Sequence, residues 1–566
     1  MHLPASRSSP ATLALVLLAP LAARAAETAA EKFVLPPIEV NAAVPLPPEE
    51  RWSYARVAGF EVLAKVADRA ARPMVTDLQK FAHALGVIYS AIADPSAQTL
   101  DLVLVHTDDF RALSPVTADA IAPDFSVYYH GSERSVIVVD MDGGFTATAN
   151  LPEGSGDTVS PFRQLHRQYL RHLLVGRNAT LPGWLEEGLT QVIADIELRG
   201  KWLTFGKVDT EQNMPMGDQP DNLGVPDPLA PNPMLSGLSF KQVFERRSFL
   251  PFDQFFAARL PDGSLPSSDS TWAKQAYAFV HFCLFGNKLR YQAPLIKLAE
   301  RLRTEPLTEE LFTACFGVNY RRMQQELRRY LVETRHKYQR YPLKPGQQAQ
   351  PEPAEFRPAT PAEAGLLKGE TLLLAGRATE AHETHRLAYA RGARTPDFLA
   401  AYAASCARIG DQDRARKLVN AAVAAGTSRP SAFVLQARLR FDEFAAAAAT
   451  ADGKFSDAQV ASVLGPLFKA RSLRPQLPET YDLIAGAWSR SATPPTPANL
   501  AVLDEGIRAF PRDDGLLLLA CTLYHRIGDT AKAASIARLG QRFAGDPETR
   551  ARFELLAGEP AVAPQP

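Results

Sequence analysis

The hydrophobic pattern divides the chain into two folded stretches of different character. In the first, between Arg51 and Tyr341, strand-like runs come early and helical periodicity takes over later. GFEVLAKV reads as a strand, and RAARPMVTDLQKFAHALGVIYSAI follows it as an amphipathic helix. LDLVLVHT predicts a further strand, and SVYYHGSERSVIVVDMDGG predicts two more, joined by the polar turn Gly131-Ser132-Glu133-Arg134. After a glycine-rich loop, Ser160-Pro161 starts a helix, because serine caps the free amides and proline suits the first helical position. LPGWLEEGLTQVIADIEL reads as a second helix that ends near Gly200, and TWAKQAYAFVHFCLFG and NYRRMQQELRRYLVETRH are notable among several later ones. Few strands followed by many helices predict an α+β domain over 51–341.

In the second stretch, 362–559, strand signals nearly vanish and the pattern repeats itself. AGRATEAHE, IGDQDRARK and IGDTAKAAS share Gly-x-x-x-x-Ala, with Gly376, Gly410 and Gly528 at the turn. Gly376 and Gly410 are 34 residues apart, as are Pro396 and Pro430, while 33 separate Pro478 from Pro511. This resembles the tetratricopeptide repeat family: paired helices, a small alanine where they cross (Ala381, Ala415, Ala533) and a proline ending each unit. An insertion around FAAAAATADGKFSD stretches the middle spacing. The expectation is an all-α solenoid of four or five such units.

The ends and joints read differently. His2 and Arg7 precede the apolar run ATLALVLLAPLAA, and Ala23-Arg24-Ala25 supplies a small-x-small cleavage pattern, so residues 1–25 read as a secretory signal. The run is too short for comfortable spanning, no later segment has a transmembrane pattern, and the mature protein is expected to be exported, periplasmic or extracellular. VLPPIEVNAAVPLPPEE makes 26–50 an extended proline-rich segment, and YPLKPGQQAQPEPAEFRPATP makes 342–361 a linker. Residues 560–566 form a tail. Lys+Arg and Asp+Glu both total 62, which argues against a general nucleic-acid surface. Four cysteines are no disulfide framework. Buried small hydrophobes are expected, with Cys283–Cys315 the pair to consider if one bond forms.

The chemistry should lie in SPFRQLHRQYLRHLLVGRNATLPGWLEEGLTQ. A helical H-E-x-x-H sets two histidines on one face to hold Zn²⁺, while its glutamate activates the metal-bound water. In the glutamate-zincin type a third ligand follows in a W-x-x-E-G context, which Trp184-Leu185-Glu186-Glu187-Gly188 matches. From about Arg51 to Glu333 the chain resembles the peptidase MA-like family of unknown function, a glutamate-zincin relative whose first motif reads H-E-Y-x-H followed by H-L-L. Setting Tyr169 and His172-Leu173-Leu174 on that motif places Arg167, Gln168 and Arg171 where His, Glu and His belong. Only Glu187, the third-ligand position, is kept. The resemblance thus implies a zincin-like α+β domain, a small mixed sheet plus helices, whose zinc motif is Arg167-Gln168-Tyr169-Leu170-Arg171.

Guanidinium offers no lone pair to a metal, and glutamine cannot shuttle the proton a carboxylate would take. No catalytic residue and no cofactor are therefore expected. One alternative keeps zinc on relocated ligands, His166, His172 and Glu187. The two histidines, six residues apart, diverge by about 120° around a helix, which speaks against it. A bridge from Arg167, Arg171 or both to Glu187 is the expected replacement, because Arg163, Arg167 and Arg171 recur on one helix face. Asp140-Met141-Asp142-Gly143 reads as a turn and Gly154-Ser155-Gly156 as a flexible loop, and no phosphate-binding or dinucleotide motif is present. The function expected is a non-catalytic scaffold binding proteins or peptides through a zincin-like cleft, with SVIVVDMDG as its edge strand, and through the repeat array, with no nucleic-acid partner.

Overall fold

The computed structural model describes residues 46–558 apart from 89–97, 115–124, 143–161, 178–180, 209–226 and 449–452, and apart from shorter stretches at 195, 200, 233–234, 236–238, 246, 261–264, 334–335, 345 and 348. The signal, most of the proline-rich segment, Gly143, Gly154-Ser155-Gly156, Ser160-Pro161 and the tail lie outside the described residues.

The first strand pair is β1 (Ser53–Val57) and β2 (Phe60–Ala64), so the GFEVLAKV strand has an antiparallel neighbour on its N-terminal side, reached through the turn Ala58-Gly59. The helix α1 (Asp68–Ile88) leads to β3 (Thr99–Val105), the short α2 (Thr107–Leu113), β4 (Ser126–Tyr129) and β5 (Arg134–Asp140). These strands form a mixed sheet in the order β4-β5-β3-β2-β1-β9, where β9 is Arg357–Pro358. The neighbours β2, β3 and β5 run parallel, and the outer strands run antiparallel. SVIVVDMDG is therefore an inner strand, and the edge belongs to β4. Continuous apolar runs such as LDLVLV suit strands covered on both faces. On one face Val62, Leu102, Leu104, Ile137 and Val139 pack against Met74, Val75 and Leu78 of α1. On the other, Leu63, Val103, Val105, Val136 and Val138 pack against Leu366 and Leu367 of α11 (Pro361–Leu374), the first helix of the repeats.

Two helices carry the candidate motif, α3 (Arg163–Arg177) and α4 (Gly183–Ala194). The helix expected to reach Gly200 stops at Ala194, because Glu197–Arg199 forms β6 and pairs with β7 (Trp202–Phe205). Sheet pairing with the aromatic and β-branched WLTF strand overrides a helical pattern here. Then come α5 (Phe240–Phe244), α6 (Phe252–Ala257), α7 (Thr271–Phe285), α8 (Gln292–Arg301), α9 (Glu309–Phe316) and α10 (Tyr320–Leu331). Every residue of α7 is buried, so it is the axis about which this aromatic-rich half packs. Cys283 and Cys315 are free thiols: the first is enclosed within α7, the second sits half-buried on α9. No disulfide joins them.

The stretch expected to be a linker is instead a docked strap. β8 (Gln339–Pro342) pairs with β7, and β9 pairs with β1. Between them the strap's carbonyls take side chains of α1: Arg72 reaches Ala354 O at 2.5 Å, Gln79 reaches Glu352 O at 3.0 Å, and His83 lies 2.9 Å from Gln347 O. Proline removes ladder donors but leaves its carbonyl available, and edge strands tolerate it.

The second half is an array of helical hairpins. After α11 come α12 (Ala378–Ala390), α13 (Pro396–Arg408) and α14 (Gln412–Ala424). These are followed by α15 (Pro430–Ala448), α16 (Asp457–Ser472), α17 (Pro478–Arg490) and α18 (Pro497–Ala509). The array closes with α19 (Asp514–Arg526), α20 (Thr530–Phe543) and α21 (Pro547–Ala557). Gly376, Gly410 and Gly528 sit at φ +80°, +89° and +85°, a left-handed turn that ends each first helix where a side chain would be strained. Ala381, Ala415 and Ala533 are at most 1% exposed, so any larger side chain would push paired helices apart.

Sheet and array are joined by buried charges. Glu133, in the β4–β5 turn, accepts from Arg429 at 2.7 Å and from the Ser431 hydroxyl at 2.5 Å. Arg429 also pairs with Glu370 of α11, which in turn lies 3.1 Å from Arg134. Arg134 continues to Asp101 at 2.5 Å and Glu61 at 3.2 Å. Burial, opposed by Arg134, raises the Asp101 carboxyl to about 6. Removing one partner of such a network strands the others without water. Arg429→Ala is expected to lower stability by about 3–5 kcal/mol, read as a shifted urea midpoint. An unchanged midpoint would show that the network is energetically neutral.

Candidate functional site

The site is assembled where α3 and α4 meet. α3 packs on β4, β5 and α4, and α4 lies against α7. Trp184 is 1% exposed and packs among Phe255, Phe256 and Phe279, which anchors the start of α4. Gly188 lets α4 approach α7 closely: a Cβ there would come within 2.6 Å of the Ala276 carbonyl oxygen. The W-x-x-E-G pattern thus fixes Glu187 at one depth, with its tryptophan as anchor and its glycine as contact point.

Glu187 is almost fully buried, and both of its carboxylate oxygens are engaged. Arg171 donates to Oε2 at 2.9 Å, and the Ser268 hydroxyl lies 3.3 Å from the same oxygen. Gln191, one turn along α4, donates to Oε1 at 2.8 Å. Arg171 is itself held by Ser268 Oγ at 2.6 Å and by Gln168 Oε1 at 3.2 Å. Burial alone would raise the Glu187 carboxyl, but the charges of Arg171 and Arg167 and the Gln191 and Arg171 hydrogen bonds outweigh it, leaving it below the usual carboxylate range. Its neighbour Glu186 is shifted the other way, raised by burial and by Glu187 against the opposing pull of Arg171.

The three α3 positions singled out in the sequence, Arg167, Gln168 and Arg171, have distinct fates. Arg171 forms the bridge. Arg167 is 3% exposed, lies 3.5 Å from Gln164 Oε1 and acts on Glu187 through its charge. Gln168 is buried and its amide lies 3.5 Å from the Ser126 carbonyl on the edge strand β4. The side chain of Arg163 lies outside the described residues.

His166 and His172 point into different surroundings. His166 stacks on Phe81 with ring centroids 3.9 Å apart, and its Nε2 lies 2.7 Å from Asp77 of α1. His172 lies against Tyr169 and edge-on to Tyr128, where burial, with a smaller effect of His130, lowers its pKa to about 4. Among the described residues no three His, Cys, Asp or Glu side chains are grouped to hold a metal, so His166, His172 and Glu187 do not converge. The residues present do not fit zinc. Guanidinium and carboxamide supply no ligand, and both oxygens of the one carboxylate are already taken. Asp140 and Asp142 form a turn, with Asp142 N donating to Asp140 Oδ1 at 3.0 Å.

Sequence reasoning missed Gln191 and Ser268. Gln191 follows Glu187 by four residues on a helix, a spacing that could have identified it. Ser268 comes from the segment before α7, 81 residues from Glu187, and no sequence pattern connects the two.

No family model and no curated protein matches this chain. Among solved structures it is similar to a thermophilic TPR protein of Thermus thermophilus, at 16% identity and TM-score 0.26 over 34% of this chain and 98% of that one. It is also similar to Pseudomonas aeruginosa pilF, at 13% identity and TM-score 0.28 over 34% and 89%. The C-terminal part of a TPR repeat-containing protein from Cytophaga hutchinsonii matches at 13% identity and TM-score 0.26 over 49% and 98%. These likenesses are distant, and the repeat architecture rests on the helix pairing and turn geometry of the chain itself. No helix among the described residues is long and apolar enough to cross a membrane.

Arg171→Ala is expected to cost about 3 kcal/mol near pH 7, because it strands a buried carboxylate. The depressed Glu187 pKa contributes stability above the ordinary carboxylate range and loses it as pH falls through the folded value. The penalty of Arg171→Ala should therefore shrink as the pH of the denaturation is lowered through that range. A penalty independent of pH would show that packing, not charge, is what the substitution removes.

Proposed function

We propose that this chain is an exported, non-catalytic relative of zinc metallopeptidases that serves as a binding scaffold for proteins or peptides. The observation that carries the reading is the Arg171–Glu187 ion pair at 2.9 Å: the acid at the third-ligand position of the W-x-x-E-G pattern is bonded to a side chain at a histidine position. A guanidinium there adds positive charge where the ordinary chemistry would set a divalent cation, so the local electrostatics are partly preserved while the Lewis acid and the proton shuttle are lost.

Binding falls to two surfaces. One is the zincin-like cleft bordered by the edge strand β4 and helix α3, where an extended peptide would add to the strand. The other is the repeat array, whose rows of parallel helices form a long continuous surface. The docked strap and the buried charge network hold these surfaces in a fixed relation. Two epitopes of one partner would therefore meet a preset spacing and not a flexible tether.

Metal analysis and peptide hydrolysis test the reading together. After mild chelation the purified chain is expected to retain no stoichiometric zinc and to leave a mixed peptide library intact. The triple variant Arg167→His, Gln168→Glu, Arg171→His is expected to gain zinc. If the parent cleaves peptides and loses that activity in Glu187→Ala, it is a zinc peptidase with rearranged ligands and the scaffold reading fails.

A further inference from the structure

Away from the α3–α4 site, the end of the array carries a groove of about 670 Å³ between α18 and α20, bordered by Thr304 of the segment after α8. The last repeats touch the first half of the chain there: Arg512, just before α19, donates to the Leu302 carbonyl, and Arg542 lies 3.4 Å from the Thr304 carbonyl. A second groove of about 730 Å³ adjoins it and shares Thr304 and Arg542. The groove is thus built at a junction, from side chains far apart in sequence.

Its lining combines cations with an apolar floor. Arg538 and Arg542 lie one turn apart on α20, and Arg508 faces them from α18. All three are exposed. Ile507, Ile536 and Leu539 supply aliphatic surface between them. Asp504 is the acidic residue lining this groove, and it is already engaged, 3.2 Å from Lys532 and accepting from the Tyr524 hydroxyl at 2.9 Å. Arg508 meets the Asp504 backbone carbonyl and Arg542 that of Thr304, and the charge of Arg542 also acts on Glu305 in the adjoining groove. The adjoining groove is closer to balance, because Arg301 pairs with Glu305 there and Glu310 adds another acid. Arg508, Arg538, Arg542 and Lys532 against the single carboxylate of this lining, on a chain of zero formal net charge, are a local excess and not a reflection of composition.

The opposite row of helices offers less. The turn residue Glu133 and strand residue Arg134 of the sheet already occupy the region between α11 and the start of α15. A partner engaging the first repeats there would have to displace buried ion pairs, whereas the α18–α20 groove is open.

We propose that this groove binds an extended acidic segment of a partner protein in which carboxylates alternate with aliphatic side chains. In an extended segment alternate side chains point to opposite faces, so the aliphatic row can rest on Ile507, Ile536 and Leu539 while the carboxylate row lies at the rim, within reach of the long, exposed arginine side chains. The apolar floor favours such a peptide over a nucleic acid, whose uniform phosphate charge has no use for it. The assignment rests on the scaffold reading and adds the chemical class of partner and the place where it docks.

The test uses the full mature chain and a fluorescein-labelled peptide alternating glutamate and leucine, read by fluorescence anisotropy. The Glu–Leu peptide is expected to bind and to weaken as salt rises, and a Lys–Leu peptide is expected not to bind. Arg508→Glu with Arg538→Glu should weaken binding by about tenfold or more, since both carboxylate contacts become repulsive. Arg508→Gln with Arg538→Gln should give a smaller loss, which keeps the assignment testable should the reversal variant fold poorly. Equal affinity of parent and both variants overturns the groove while leaving the scaffold reading intact. A DNA duplex bound more tightly than the peptide, and released by the same variants, overturns the peptide assignment in favour of a general polyanion site. Glu187-dependent hydrolysis of the peptide would overturn the scaffold reading on which the assignment rests.

Discussion

Glu133, Glu370, Arg134 and Arg429 are nearly dry, and they sit where the mixed sheet meets the first three hairpins of the array. Around them, the face of the sheet that carries Leu63, Val103, Val105, Val136 and Val138 is covered by the array together with Phe110 and Leu113 of the short α2. Each such side chain returned to water costs about 1.5–3 kcal/mol. Peeling the array away would therefore expose a strip of the sheet core and four or more charges that had been paired. The two halves are one object for this reason, and the proline-rich strap follows the same constraint by pairing at both ends.

That constraint carries through to the candidate site. The turn gripped by Arg429 joins β5 to β4, β4 is the edge strand on which α3 packs, and α3 supplies Arg171 to Glu187. The same hairpin therefore has one end fixed in the array and the other beneath the α3 helix that carries Arg171. On its far side the motif is held by α7, which Gly188 allows α4 to approach. Glu187 has little freedom to move, and its pairing with Arg171 follows from placement as much as from charge.

The Arg171–Glu187 pair has a consistent energetic logic. A buried carboxylate is costly without a cation beside it, and the Arg171 guanidinium neutralises Glu187 with a directional hydrogen bond. Ser268 and Gln191 complete the set, so every oxygen of Glu187 is satisfied. The pair need not add net stability over an apolar replacement. It makes the buried acid tolerable, which is enough to account for the pairing.

Much of this was legible in one dimension. Period-two and continuous apolar runs located β2 to β5, the 34-residue spacing of Gly376 and Gly410 gave the hairpin array, and the four-residue spacing of Arg167 and Arg171 put guanidinium groups on one face of α3, from which Arg171 meets Glu187. These features are local, set by backbone geometry and side-chain chemistry within a few residues or one repeat. What only the tertiary structure decided depends on pairing across long separations. It moved the sheet edge from SVIVVDMDG to β4, ended a helix at Ala194 in favour of a hairpin, turned a linker into a strap, left Cys283 and Cys315 unbonded, and brought Ser268 to Glu187 and Arg429 to Glu133. Residues 81 and 296 positions apart carry no sequence signal of their meeting, because each finds its partner only when burial denies it water.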